Sequence, residues 1–314
     1  MKRMTKGLVA IALAAAVAGT ASAQQTLRLM TGPQGGSWYP LGGAIQAIIE
    51  KTLPGTSVQV SPGAGISNVL GVQAGKADLG FGNGVSTVDG LAGREPFKEK
   101  TSNVCQVGTL YFQYFHMVAL ADSGIRTPAD LKGKALSTQQ KGNTGEQMTR
   151  AVLQVYGQSY DTLSKVNFGS YNDSVAQLKD NQAQVFTLIT TVPASAVMDL
   201  ASARDIRVLE VPDDKLRELQ KINPGYDKRI IKAGSYPKQD KDVQTIGTWT
   251  HLIARCDLPE DTVYKITRAL VENIDGLGAV VSAVKGLTAK DMATDIGVPF
   301  HKGALKYYKE AKVL

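Results

Sequence analysis

The chain is poor in the residues that build metal and nucleophile sites. Its 314 residues include three histidines, His116, His251 and His301, and two cysteines, Cys105 and Cys256. Their scatter excludes the close ligand spacing of a zinc site. No nucleophile elbow is present, because Gly65-Ile66-Ser67-Asn68-Val69 and Gly84-Val85-Ser86-Thr87-Val88 both lack the closing glycine of G-x-S-x-G. The carboxylates form no recognisable acid–base pair. Aromatics make up 6% of the chain and no Lys/Arg block interleaves with them, which argues against a nucleic-acid partner. Beyond the N-terminal segment no stretch reaches the roughly 18 apolar residues of a membrane-spanning helix. These absences point away from catalysis, metals and cofactors and towards binding.

What the N-terminus does carry is the pattern of a secretory signal. Lys2, Arg3 and Lys6 form a positive segment, Leu8 to Ala18 is an apolar run too short to span a bilayer, and Ala21-Ser22-Ala23 offers a cleavage site. Residues 1–23 are therefore expected to be removed near Ala23, placing the chain in the periplasm. Three units of the formal net charge of +7 leave with the leader. In that compartment Cys105 and Cys256 can either bridge distant segments or remain two separate buried thiols.

After the leader, strand and helix patterns alternate. Leu27–Met30 reads as a strand and Leu41, Ala44, Ile45, Ile48 and Ile49 recur at helical spacing. Val58 and Val60 mark a second strand, Ser67 is the expected cap of a second helix, and Ala77–Phe81 reads as a third strand. This βαβαβ order implies a parallel sheet with right-handed crossovers. Shifted by 106 positions the order repeats: Gly36 falls on Gly142, Val60 on Val166, Ser67 on Asp173 and Leu79 on Val185. The second copy runs through Ala135–Thr138, Met148–Val155, Lys165–Phe168, a cap at Asn172-Asp173-Ser174, Val175–Leu178 and Val185–Thr190. Two apolar stretches, Val104–Leu120 and Thr245–Ala254, carry the chain across and back, and residues 258–314 read as mostly helical behind Pro259. The expected fold is α/β, with two lobes joined by a two-crossing hinge. Residues 24–115 with 250–314 form lobe 1, and 116–249 form lobe 2.

Such lobes open their loops at the carboxyl ends of their strands, so a ligand belongs in the cleft between them. The loop Thr31–Gly43, TGPQGGSWYPLGG, supplies half of that mouth. Gly35 and Gly36 allow close backbone approach, Ser37 can cap the next turn, and Trp38 and Tyr39 offer apolar faces with polar tips. Trp38 is either a ligand platform or a core residue. Gly63-Ala64-Gly65 begins like a dinucleotide fingerprint, but Asn68 stands where the third glycine belongs, so that reading fails. What remains is a second helix mouth at Gly65-Ile66-Ser67, matched in lobe 2 by helix starts near Thr144 and Asp173. Helix N-termini favour an anion.

The residues also carry a family likeness. Gly35-Gly36-Ser37-Trp38-Tyr39-Pro40-Leu41-Gly42-Gly43, Ser67-Asn68, Gly75-Lys76-Ala77-Asp78-Leu79, Phe115-His116-Met117-Val118-Ala119 and Asp130-Leu131-Lys132-Gly133-Lys134 contribute to it. So do Pro193 ahead of Asp199-Leu200-Ala201 and the closing run Pro299 to Glu310. Over these stretches the chain resembles the TAXI family, TRAP-associated extracytoplasmic immunogenic proteins. The resemblance implies a type II periplasmic-binding fold, no catalysis and delivery of a small organic anion to a TRAP membrane permease. Glutamate and 2-oxoglutarate are examples of such ligands. Gly142-Asn143-Thr144-Gly145 and Asn83-Gly84-Val85 depart from the usual G-S-G-T and Q-S-D, and Lys302 replaces a proline. The candidate ligand residues are Gly36, Ser37, Trp38, Tyr39, Gly65, Ile66, Ser67 and Asn83 from lobe 1, with Asn143, Thr144, Asp173, Thr190 and Pro193 from lobe 2. Asp173 either caps a helix or pairs with a ligand ammonium. Other expectations compatible with the residues are the same fold serving another permease or a membrane sensor, and a secreted enzyme. The processed chain is expected to be a monomer.

Overall fold

The computed structural model describes residues 25–314, so the proposed leader lies outside the described residues. The first lobe begins β1 (Gln25–Met30), α1 (Trp38–Thr52), β2 (Thr56–Ser61), α2 (Gly65–Gln73), β3 (Leu79–Asn83) and α3 (Gly84–Ala92). β4 (Cys105–Leu120) crosses into the second lobe, which continues β5 (Ala135–Gln139), α4 (Thr144–Val155), β6 (Lys165–Gly169), α5 (Tyr171–Lys179), β7 (Val185–Thr190) and α6 (Ser195–Ala203). β8 (Ile206–Val208), α7 (Asp213–Ile222) and β9 (Asp227–Ile231) complete it, and β10 (Val243–Ala254) returns to the first lobe. There the chain ends with α8 (Glu260–Glu272), α9 (Ile274–Val280), α10 (Ala289–Met292) and α11 (Lys302–Glu310).

The strands form one continuous ladder in the order β2-β1-β3-β10-β4-β7-β5-β6. β1 pairs in parallel with β2 and β3, and β5 does the same with β6 and β7. The duplication thus survives in three dimensions: α1 and α4, α2 and α5, and β3 and β7 all start 106 residues apart. β10 runs antiparallel to both β3 and β4, and β4 antiparallel to β7, so two long strands alone connect the halves of the sheet. β3 and β7 are buried along their whole length, as expected of central strands covered on both faces.

Each half has its own core, and Val85 of α3 reaches from the first half into that of the second. Leu41, Ile45 and Ile49, one helical turn apart on α1, pack on Leu27, Leu29 and Phe81 and on Val263, Ile266, Leu270 and Tyr308 from the C-terminal helices. In the second half Leu136, Met148 and Val152 meet Leu216 and Leu219, while Val175, Leu178, Phe186 and Val197 fill the other face of the sheet. Cys105 and Cys256 are joined with their Cα atoms 5.1 Å apart, tying the start of β4 to the end of β10.

Several local expectations shift. The third strand is Leu79–Asn83 rather than Ala77–Phe81, and it runs directly into α3, which the sequence pattern did not suggest. Ala64, not Ser67, sits at the N-cap of α2, and Ser170, not the Asn172-Asp173-Ser174 segment, caps α5. Ser37 precedes α1, but its side chain makes no capping bond.

The three histidines serve the interior. His116 meets the Tyr114 carbonyl and the Tyr236 hydroxyl, His251 meets the Thr87 hydroxyl, and His301 accepts from the Gly303 amide to cap α11. Burial pushes His116 down to about 4 against the opposing pull of the Tyr114 carbonyl, and His251 down to about 3. Both are neutral in the fold, whereas an unfolded chain takes up protons near the ordinary 6.5. Stability from these two groups is therefore full above 6.5 and falls as pH drops through that value towards 4 for His116 and 3 for His251. The slope approaches about 1.4 kcal/mol per pH unit for each histidine. Thermal unfolding followed from neutral to acid pH checks this, and a midpoint flat down to about pH 5 would contradict it.

Candidate functional site

The loops that follow β1 and β5 both turn through glycine at positive φ, Gly35 at 83° and Gly142 at 91°. A side chain at either position would be strained. A Cβ on Gly35 would lie 2.6 Å from Asn172 Oδ1, and one on Gly142 would lie 2.7 Å from Ser67 Oγ. Each loop therefore presses its bare backbone against a helix start of the opposite lobe. α1 faces α5 and α2 faces α4 across this seam. α3, absent from the sequence expectation, adds a further helix start beside them.

Hydroxyls and backbone bridge the seam directly. Ser67 donates its amide and hydroxyl to the Gly142 carbonyl, at 3.1 and 3.2 Å. The Ser37 amide donates to Thr190 Oγ1 at 3.3 Å, and the Ser195 hydroxyl to the Gly35 carbonyl at 3.0 Å. Ser86 and Thr144 pair through their hydroxyls at 2.8 Å, both buried. Further out, Asn223 of the second lobe donates to Asp89 of the first at 2.8 Å, and Asp89 also holds Arg94.

Between these bridges lies a cavity of ≈ 10 Å³. Pro33, Gly36, Ser37, Trp38, Gly65 and Asn83 line it from lobe 1, Asn143, Tyr171 and Ile189 from lobe 2, and Gln113 from the crossing strand β4. No ionisable carboxylate, ammonium, guanidinium or imidazole is on this wall among the described residues. The polarity comes from amides, hydroxyls and helix starts. Tyr111 donates its hydroxyl to Ser37 Oγ, and Tyr171 donates to the Ile189 carbonyl. Burial pushes both phenols upward, so they remain neutral donors. Asn143 Oδ1 accepts from the Gly145 amide and is occupied. Asn83 Oδ1 is not: it is buried and has no hydrogen-bond partner.

Of the residues singled out from the sequence, Gly36, Ser37, Trp38, Gly65, Asn83 and Asn143 meet on this wall. Thr144 and Thr190 stand directly behind it through their bonds to Ser86 and Ser37. Trp38 is chiefly a core residue. It stacks on Phe81 at 5.4 Å, donates its indole N–H to Thr250, and contributes only part of the wall. Ser67 bonds across the seam and lines a larger neighbouring inter-lobe cavity rather than this one. Tyr39 is exposed, Ile66 packs with Val69 and Val72, and Pro193 is exposed after its bond to Val192. Asp173 belongs to a capping box, its Oδ2 accepting from the amide and hydroxyl of Ser170 at 2.9 and 2.7 Å. Those bonds hold its carboxyl below the ordinary carboxylate range and leave it off the wall.

Pro33, Gln113, Tyr171 and Ile189 are wall residues that sequence reasoning missed. The duplication held the clue to one of them. Tyr171 opens α5 as Gly65 opens α2, at the same offset of 106. Gln113 carries no such signal, since it faces the cleft only because β4 passes between the lobes.

Among the described residues no group of three or more potential metal ligands occurs, and no helix is long and apolar enough to cross a membrane. The profile of the NMT1-like family matches residues 29–311. Among solved structures, PhnD1 of Prochlorococcus marinus MIT 9301, in complex with methylphosphonate, superposes with a TM-score of 0.58. The match is at 12% identity, over 93% of this chain and 100% of that one. The periplasmic binding protein BugD gives 0.56 at 12% identity, over 91% and 94% of the two chains. A protein of Bordetella bronchiseptica RB50 gives 0.53 at 17% identity, over 91% and 82%. At such identities the likeness establishes a shared periplasmic-binding fold.

Proposed function

Starting from a chain that belongs to the NMT1-like family, we propose that it is a periplasmic solute-binding protein of a TRAP transporter, of the TAXI type. It captures a small carboxylate by lobe closure and hands it to the membrane permease. The observation that carries this reading is the uncharged inter-lobe cavity ringed by helix starts. Each helix start favours an anion by about 0.3–1 kcal/mol when exposed and up to about 2 when partly buried. Micromolar capture needs about 8 kcal/mol, so water exclusion on closure and the amides and hydroxyls of Ser37, Asn83, Asn143 and Tyr171 contribute the remainder. Two crossing strands between separately packed lobes make a suitable hinge.

A secreted enzyme would need a histidine beside a cleft carboxylate. His116 and His251 hydrogen-bond to Tyr236 and Thr87, and neither stands beside a cleft carboxylate. Uptake measurements separate the transporter classes. Cells lacking this chain should lose uptake of the captured acid, and wild-type uptake should survive ATP depletion but collapse with the sodium gradient. Uptake that follows ATP instead would assign the receptor to another permease.

A further inference from the structure

Resting on the receptor reading above, we propose that the cleft selects a short organic acid of single negative charge that carries a hydroxyl and no ammonium group. An ion buried without a partner is strongly disfavoured. Helix starts on both lobes meet one carboxylate, but nothing on the wall meets a second charge of either sign.

The neighbouring carboxylates are all engaged. Asp173 is held by Ser170, Asp89 by Arg94 and Asn223, and Glu146 by Arg150 and Tyr160. An ammonium in the cavity would therefore find no counter-charge and would sit against the positive ends of the helices. No basic group lines this inner cavity either. Arg94 and Arg150 are paired, and Lys141 lies on the wall of the larger neighbouring inter-lobe cavity, over the Phe168 ring at 5.8 Å. Glutamate and dicarboxylates thus each bring a charge that this wall leaves unpaired.

The hydroxyl follows from Asn83. It is 1% exposed, it lines the cavity, and its Oδ1 lacks a partner. Asn143 Oδ1 already accepts from the Gly145 amide and the Tyr171 hydroxyl from the amide of Ile189, whereas Asn83 Oδ1 is both buried and unmet. A buried acceptor left unmet disfavours closure, and a ligand hydroxyl relieves it. Size bears on the inner cavity alone. Its ≈ 10 Å³ is about the room of one water centre, with the Ser37–Thr190 and Ser86–Thr144 bonds on both sides, and a larger inter-lobe cavity of ≈ 430 Å³ shares Pro33 and Asn143 with it. An acid held wholly in the inner cavity must part those bonds, which favours two to four carbons.

Calorimetric titration of the processed full chain with glycolate, lactate and glycerate, against propionate, glutamate and succinate, tests this. The hydroxy acids should bind about tenfold more tightly than propionate and about a hundredfold more tightly than glutamate or succinate. Tightest binding of glutamate or succinate would overturn the selection while leaving the carboxylate receptor intact. Binding of none of the acids would overturn both. Asn83→Asp keeps the side-chain shape but adds a negative charge, so it should lose hydroxy-acid affinity by at least about tenfold and gain affinity for glycine or alanine. Asn83→Ser retains a neutral hydroxyl and should lose less. Unchanged hydroxy-acid affinity in a folded Asn83→Asp protein would contradict the assignment.

Discussion

Gly65→Ala is expected to weaken ligand capture by roughly 5- to 150-fold, the equivalent of about 1–3 kcal/mol of overpacking. A Cβ at this position would lie 2.8 Å from Asn83 Nδ2 and closer still to Thr144 Oγ1, with the Thr144 Cβ at 3.2 Å. Thr144 belongs to the opposite lobe and is already held by Ser86, so it can yield only by giving up that bond. The contact with Thr144 exists only when the lobes meet, whereas Asn83 Nδ2 is the end of a side chain within lobe 1 and can shift, so stability of the free protein should change less than affinity. Gly43→Ala serves as the control, because a Cβ there meets nothing within 4 Å and lies on the exposed side of α1. It should leave affinity unchanged and stabilise the helix by up to about 1 kcal/mol. Titration of both variants decides the matter, and wild-type affinity in Gly65→Ala would mean the lobes do not close along this seam.

Loss of the Cys105–Cys256 bond should lower stability by about 2–5 kcal/mol, seen as a drop in thermal midpoint on adding reductant or in Cys105→Ala/Cys256→Ala. The bond closes a loop of 151 residues, and the whole second lobe lies inside it. Opening it frees the unfolded chain more than a short staple would. The two cysteines sit at the lobe-1 ends of the crossing strands, away from the cavity wall, so ligand affinity should be preserved at temperatures where the protein remains folded. An unchanged midpoint after full reduction would contradict this role.

How much of this was readable beforehand depends on how local the cause is. The alternating strands, the α1 stripe of Leu41, Ile45 and Ile49, and the two long crossings follow from short-range periodicity, and they appear where expected. The offset of 106 residues located both mouths. α3 escaped because Gly84, Val85, Thr87, Val88 and Gly90 are weak helix formers, and it is burial of Gly84, Val85, Ser86 and Thr87 against the rest of the chain that holds it. By local rule the Ser67 hydroxyl is a good capping group. Its actual partner is the Gly142 carbonyl of the other lobe, a contact no local rule can see. Asp173 shows the reverse. Its capping role is local and readable from Ser170 three residues earlier, and it leaves Asp173 off the cavity wall. Gln113 and Ile189 reach the wall only through the pairing of distant strands.

The central claim is that a small acid sits between the lobes, and a crystal structure of the processed chain with the tightest-binding acid of the titration tests it most directly. The account predicts the carboxylate between Gly36 and Ser37 on one side and Asn143 and Tyr171 on the other, with the Ser37–Thr190 bond opened or relayed through the ligand. An acid found only at the outer rim beside Lys141, with Ser37 still bonded to Thr190 and Ser86 to Thr144, would contradict it.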